Sequence, residues 1–200
     1  MKRFSCIISL YIFLLGGCAS SEMCVSENQA LEPVSPGKAR VIFMRSSFFG
    51  SGIHASIFDV TTGEPELIGI ISNGTKIAHE AYPGKKTYMV VSEAAEFMSA
   101  YLEADKTYYG VVMQGMGVWK DRLSLHPIKN DPDSKFNTTS DEFLKWQKKT
   151  RLVENTEMSR QWARDNILDI REKYFEYYAK WKDKTRKEKE QLTLQPYDGM

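Results

Sequence analysis

The sequence predicts a mainly β fold with an α-helical C-terminal extension: an antiparallel β-sandwich of about seven or eight strands, followed by two helices. Between residues 38 and 130, short runs of β-branched and aromatic residues recur, with turn signals spaced by about 8–12 residues. Between residues 141 and 190 there are 14 Lys or Arg and 11 Asp or Glu residues. This charge density is typical of solvated helices, so the two regions are expected to differ in structure.

The N-terminal segment has the three parts of an export signal. Lys2 and Arg3 give it a positive start, residues 4–15 are almost entirely apolar, and small residues follow. Twelve residues of helix reach about 18 Å, which is less than the roughly 30 Å hydrocarbon core of a bilayer. Residues 1–17 are therefore predicted to be a signal peptide and not a transmembrane helix.

Cys18 ends the run Leu15-Gly16-Gly17-Cys18, which resembles the lipobox of bacterial lipoproteins. The resemblance implies that the signal is cut before Cys18 and that this residue carries lipid. Two or three acyl chains suffice for stable anchoring, at about 0.8 kcal/mol per buried methylene. Ala19 favours the outer membrane of a Gram-negative bacterium, because in enteric-type bacteria an Asp there tends to retain lipoproteins at the inner membrane; the body is expected on the periplasmic face. The alternative is an ordinary secretory signal in which Cys18 is incidental.

Residues 18–37 are predicted to form a lipidated, flexible tether. They are rich in Ser and Glu, contain Pro33 and Pro36, and show no helical or strand periodicity. A coil of this length would let the body sit about 25 Å from the membrane. Cys24 would be the only cysteine left besides Cys18, so no internal disulfide is expected.

The β region, residues 38–130, is predicted from apolar runs and the turns between them. The runs include residues 41–43, 67–71 and 87–91. Asn73-Gly74 is a hairpin signal, because both residues accept the positive φ of a type I′ turn, and Pro83-Gly84 marks another turn.

The charged helical extension is predicted over residues 138–195. Thr139 and Glu142 fit a capping box, and a break at residues 153–156 precedes a longer helix. The apolar stripe of that helix consists of Ile167, Ile170, Tyr174, Tyr178 and Trp181. The stripe either packs on the sandwich or forms a face for a partner or a membrane surface.

No motif names a reaction. His54, His79 and His126 are far apart and lack metal-ligand spacing, and no Gly-x-Ser-x-Gly pattern is present. A formal net charge of +1 makes nucleic acid an unsuitable partner. We therefore expect no catalytic residue, no metal and no cofactor.

Two loops are candidate contact sites. Phe48 and Phe49 lie in a Gly- and Ser-rich stretch, and Met116 and Trp119 lie in a stretch with two glycines. Each ring is expected either to be exposed for contact or to fold back into the core. With the helix stripe, the candidate partner-contact residues are Phe48, Phe49, Met116, Trp119, Ile170, Tyr174, Tyr178 and Trp181.

Several runs resemble one family. They are Ala39-Arg40-Val41-Ile42-Phe43, Asn73-Gly74-Thr75, Tyr82-Pro83-Gly84-Lys85, Thr87-Tyr88-Met89-Val90-Val91 and Lys106-Thr107-Tyr108-Tyr109. The segment 39–127 thus resembles the bacterial lipoproteins with a domain of unknown function of the DUF2846 type. Members usually have Gly where this chain has Asp105, and Asp also tolerates a turn. The resemblance implies a small β-sandwich of the transthyretin or carboxypeptidase-regulatory kind, with no established catalytic residues.

These signals predict a non-catalytic, lipid-anchored envelope lipoprotein that acts as a protein-binding or scaffolding module. One alternative is a carbohydrate- or peptidoglycan-binding module, in which Tyr101, Tyr109 and Trp119 stack on sugar rings. A further alternative is an envelope hydrolase. It would need a pocket in which a His meets a Ser, Cys or carboxylate at hydrogen-bond distance.

Overall fold

The computed structural model describes residues 22–46, 55–114 and 123–200. The strands are β1 Met23–Val25, β2 Ala39–Arg45, β3 Ala55–Asp59, β4 Glu66–Ile71, β5 Thr75–Ala81, β6 Gly84–Val91, β7 Ala95–Leu102, β8 Thr107–Gln114, β9 Leu123–Ile128, β10 Arg151–Asn155 and β11 Thr193–Leu194. The helices are α1 Asp141–Lys149, α2 Glu157–Asp165, α3 Ile167–Asp183 and α4 Arg186–Gln191, and a 3-10 turn follows at Pro196–Asp198.

The strands form two sheets. Sheet 1 has the order β1-β10-β5-β2-β8-β9, and sheet 2 has the order β11-β7-β6-β3-β4. A mainly β fold with C-terminal helices is therefore confirmed. The predicted antiparallel architecture of seven or eight strands is wrong, because β2–β8, β10–β5 and β11–β7 are parallel pairs and the described residues contain eleven strands. Parallel pairs join distant parts of a chain, so no local turn marks them.

Alternation along the strands builds the core between the sheets. Val41 and Phe43 of β2 and Tyr108 of β8 point inward, where they meet Tyr88 and Val90 of β6. All five side chains are buried, since inward positions recur at every second residue of a strand.

Helices cover the outer faces of both sheets. On sheet 1, Phe143 and Trp146 of α1 pack against Ile42 and Tyr109. On sheet 2, side chains of α3 pack against Phe58, Met89 and Phe97. Because both faces of β2 are covered, all seven of its residues are buried.

The C-terminal region differs from the two predicted helices. It contains four helices, and β10 occupies residues 151–155, which overlap the break that the sequence predicts at residues 153–156. The N-cap of α1 is Ser140 and not Thr139, since the Ser140 hydroxyl accepts the N–H of Phe143 at 3.2 Å. β10 pairs with β5 on one side and β1 on the other, and these tertiary pairings have no local signature.

Part of the predicted tether is ordered against the sheet. β1 lies within residues 18–37 and pairs with β10. Arg40 donates hydrogen bonds to the carbonyl of Pro33 and to Glu80, at 3.2 and 2.8 Å. Polar, proline-containing chain therefore lies along the edge of sheet 1 from residue 22 onward, because the sheet supplies the missing hydrogen-bond partners.

Candidate functional site

A cavity of about 560 Å³ lies between β9, the segment 129–136 and α4. Three lysines and three carboxylates share its lining with His126 and Phe136. The charged groups are Lys129, Lys135, Lys184, Asp131, Asp133 and Glu188. A lining with both charge signs and an aromatic ring suits a polar ligand with apolar parts.

Strand alternation places His126 in this wall. Leu123 and Leu125 point into the core between the sheets, so Ser124 and His126 face the opposite side of β9. The His126 ring centroid is 5.0 Å from that of Phe136. Ser124 Oγ lies 2.9 Å from His126 Nε2 and 3.3 Å from the carbonyl oxygen of Met113. The single hydroxyl proton can serve one of these two acceptors at a time.

Burial and, to a smaller extent, the positive charge of Lys135 together lower the pKa of His126 to about 4. The imidazole is therefore neutral at neutral pH. Within the described residues, no carboxylate forms a salt bridge with His126.

The opposite wall is fixed by the start of α4. Thr185 donates backbone and hydroxyl hydrogen bonds to Glu188 Oε2, each at 2.7 Å, and these bonds lower the pKa of that carboxyl. Lys129 Nζ donates to the carbonyl of Glu190 at 2.8 Å, which ties the segment after β9 to α4. The cavity thus has walls held by specific contacts.

A second polar cluster lies between the sheets. Asp59, His79, Lys86 and Tyr88 occupy inward positions of β3, β5 and β6. Asp59 Oδ2 is 4.0 Å from His79 Nε2 and 3.8 Å from Lys86 Nζ. Burial lowers the pKa of His79 although Asp59 opposes the shift, so this His is also neutral at neutral pH. The cluster lacks a short His–carboxylate hydrogen bond.

The apolar stripe predicted from the sequence packs against sheet 2 of the same chain. Ile170, Tyr174 and Trp181 are buried against sheet 2, and the Tyr178 ring packs 5.4 Å from that of Phe97. The stripe therefore packs on the sandwich, and its interpretation as a free partner-binding face is wrong. Cys18, Phe48, Phe49, Met116 and Trp119 lie outside the described residues.

The predicted sugar-stacking platform is not formed by its two described rings. Tyr109 is buried, with its ring 4.9 Å from that of Phe143, whereas Tyr101 is 41% exposed. The two residues belong to different sheets.

The residues described by the structure contain no group of three or more His, Cys, Asp and Glu side chains placed to hold a metal ion. None of the described helices has the length and apolar character needed to cross a membrane.

Sequence reasoning missed the cavity, because its walls come from parts of the chain that are far apart. The spacing of Ser124 and His126 could have indicated their contact, since residues two apart share a face of a strand. No known family model matches the chain, and no curated protein matches it significantly.

Proposed function

We propose that the chain is a non-catalytic, lipid-anchored lipoprotein that binds a protein partner at the periplasmic face of the outer membrane. The observation that carries the binding role is the cavity between β9 and α4, with its mixed charges around His126 and Phe136. The lipobox-like run at Cys18 supports the anchor. The resemblance to the DUF2846 type supports a binding or spacer role.

The cavity suits a peptide segment that carries both acidic and basic side chains. It borders β9, which is one of the two edge strands of sheet 1 among the described residues and contains Pro127, a residue typical of edge strands. A peptide beside such an edge gains main-chain hydrogen bonds and places alternate side chains in pockets. The lysines and carboxylates that line the cavity can then form ion pairs with acidic and basic side chains of the peptide.

Point variants of the cavity test the proposal. Crosslinking in intact envelopes should capture several-fold less partner with the pair Lys135→Ala and Lys184→Ala than with the wild type. Neither lysine forms a salt bridge with another described residue. The control pair Arg186→Ala and Lys187→Ala removes the same charge from exposed positions outside the cavity. Equal capture by both pairs would remove the cavity as the binding surface.

The anchor has its own test. Cys18→Ser should move the protein from the membrane pellet to the soluble periplasmic fraction, and the mature wild type should carry the mass of the acyl chains. A wild-type chain found in the soluble fraction without lipid would contradict the anchor.

A hydrolase is the second candidate, and the contact between Ser124 and His126 favours it. The pKa near 4 opposes it, because a general base works best with a pKa near the operating pH. In a catalytic triad, moreover, a carboxylate orients the His. Labelling of Ser124 by a fluorophosphonate probe, lost in Ser124→Ala, would support hydrolysis; no labelling is expected.

Glycan binding is the other alternative. The burial of Tyr109 removes one of the three rings that it was expected to use. The protein should therefore not co-sediment with purified peptidoglycan, and co-sedimentation above the level of an unrelated lipoprotein would favour this alternative.

A further inference from the structure

Two large apolar side chains lie in line on the outward side of α3. Leu168 is 76% exposed and Phe175 is 66% exposed. Seven residues are close to two helical turns, so the two side chains are about 10 Å apart on one side of the helix. The opposite side of α3 is already buried, through Ile170 and Tyr174. The outward side thus carries a narrow apolar stripe that is largely exposed, although the Phe175 ring also contacts the Tyr174 ring at 5.2 Å.

The chain enters the folded body next to this helix. Thr156 Oγ1, at the N-terminus of α2, donates a hydrogen bond to the carbonyl of Glu22 at 2.8 Å. Glu22 also lines a second cavity, of about 390 Å³, together with Trp162 and Asp169, where α2 meets α3. Three residues separate Glu22 from Cys18, and the four Cα–Cα steps between the two span at most about 14 Å in any conformation.

We propose that the outward face of α3, with Leu168 and Phe175, lies on the membrane surface to which Cys18 is anchored. The inference rests on the lipid anchor of the proposed function. Lipid at Cys18 would hold the junction of α2 and α3 close to the headgroups. The two apolar side chains then reach the boundary between headgroups and acyl chains. Lys182 lies about two turns beyond Phe175, with a long stem that lets its charge meet phosphates, whereas Arg171 already pairs with Glu64 at 2.6 Å.

The neighbouring edge of sheet 1 is less suited to the same contact. There Val25 is 45% exposed and Leu31 is 38% exposed, less than either side chain of the stripe. Exposed carboxylates lie beside both surfaces, Glu27 and Glu32 at this edge and Glu172 and Glu176 on α3, so charge does not distinguish the two. The greater exposure of Leu168 and Phe175 therefore favours α3 as the face toward the lipid.

Photo-crosslinking of the full lipid-modified protein tests this orientation on vesicles of phosphatidylethanolamine and phosphatidylglycerol. Three variants each place the crosslinker at one exposed aromatic position: Phe175→p-benzoylphenylalanine, Tyr82→p-benzoylphenylalanine and Tyr197→p-benzoylphenylalanine. The three positions are matched, with exposures of 66%, 71% and 64%. Flotation reports anchoring, and intact mass reports lipid adducts.

Several-fold more lipid adduct at position 175 than at positions 82 and 197 is the expected result. Protein that floats with the vesicles but gives equal adducts at all three positions would overturn the contact of α3 and leave the anchor intact. Protein that does not float would overturn the anchor, and the membrane contact with it.

Discussion

Tyr88 and Tyr108 share the core between the sheets, but their hydroxyl groups differ. Both side chains are 0% exposed. Tyr108 Oη accepts the N–H of Glu103 at 2.9 Å and donates to the carbonyl of Pro196 at 3.3 Å. The Tyr88 hydroxyl has no hydrogen-bond partner among the described residues, and burial raises its pKa. A buried hydroxyl without a partner costs about 1–3 kcal/mol.

Removing the two hydroxyls should therefore have opposite effects. Tyr88→Phe should leave the free energy of unfolding unchanged or raise it by about 1 kcal/mol, because only an unpaired group is lost. Tyr108→Phe should lower it by about 1–2 kcal/mol, because the N–H of Glu103 loses its acceptor. Urea denaturation measures both values, and equal losses in the two variants would contradict the assignment.

His126 should make the protein sensitive to mild acid. Its pKa is about 4 in the folded protein and 6.5 by reference, so the unfolded state binds more protons between these pH values. The contribution of neutral His126 to the free energy of unfolding is therefore fully present above pH 6.5. It is lost as the pH drops toward about 4, by on the order of 2–3 kcal/mol. The lowered pKa of His79 acts in the same direction.

The variant His126→Gln should show a smaller loss of stability than the wild type when the pH is lowered from 7 to 4.5. Ser124→Ala is a matched control, because it removes the same hydrogen bond without removing the titrating group. Compared with the wild type, Ser124→Ala should lower the free energy of unfolding by a similar amount at pH 7 and at pH 4.5. A wild-type pH dependence in His126→Gln, measured by urea denaturation, would contradict the role of this residue.

At the scale of elements, turns were easier to predict than pairings. Gly74 and Gly84 adopt positive φ values of 77° and 117°, and Asp105 adopts a positive φ of 61°. However, the turn at Asn73-Gly74 joins β4 of sheet 2 to β5 of sheet 1, so it is not a hairpin. Residues of a turn determine that the chain reverses. The hydrophobic contacts of the flanking strands decide which strands pair.

The start of α1 offers a direct comparison of two neighbouring residues. Ser140→Ala should lower the free energy of unfolding by about 1 kcal/mol, because the N–H of Phe143 loses its cap. Thr139→Ala should cost a few tenths of a kcal/mol at most, since Thr139 is exposed and its hydroxyl bonds only to the neighbouring Asn137 side chain, not to a backbone N–H of the helix. Thermal unfolding of both variants measures the difference, and a larger loss in Thr139→Ala would favour the capping box predicted from the sequence.

At the scale of the whole molecule, the C-terminal region is part of the sandwich. It gives β10 to sheet 1 and β11 to sheet 2, and Leu194 of β11 is 0% exposed in the shared core. Asp198 is also buried, and it accepts the N–H groups of Asn130 and Gln195 at 2.9 and 2.7 Å. Both sheets therefore depend on residues beyond position 150.

A chain that ends at Asp133 should not fold. It would lose an internal strand of sheet 1 and uncover the apolar outer faces of both sheets. The free-energy cost of these losses is far more than the about 5–15 kcal/mol that stabilises a typical domain. Circular dichroism should show no cooperative thermal transition, whereas the full chain should show one. A truncated chain with a cooperative transition would mean that the sandwich is independent of the C-terminal region.

The sequence by itself determined the β-rich region, the positions of several turns and the helical stripe of Ile170, Tyr174 and Trp181. These features depend on period, propensity and backbone geometry, all of which are local. It also supplied the lipobox-like run at Cys18, which the structure leaves as a prediction.

Only the tertiary structure decided the rest. The parallel pairings, the strand character of residues 151–155 and the order of residues 22–37 arise from contacts between distant segments, which lack a local pattern. The cavity beside β9 also arises from contacts between distant segments, since its walls meet only after α4 packs beside β9. The partner-binding interpretation of the α3 stripe was wrong for this reason: an amphipathic helix shows that one face will be buried, but not by which surface.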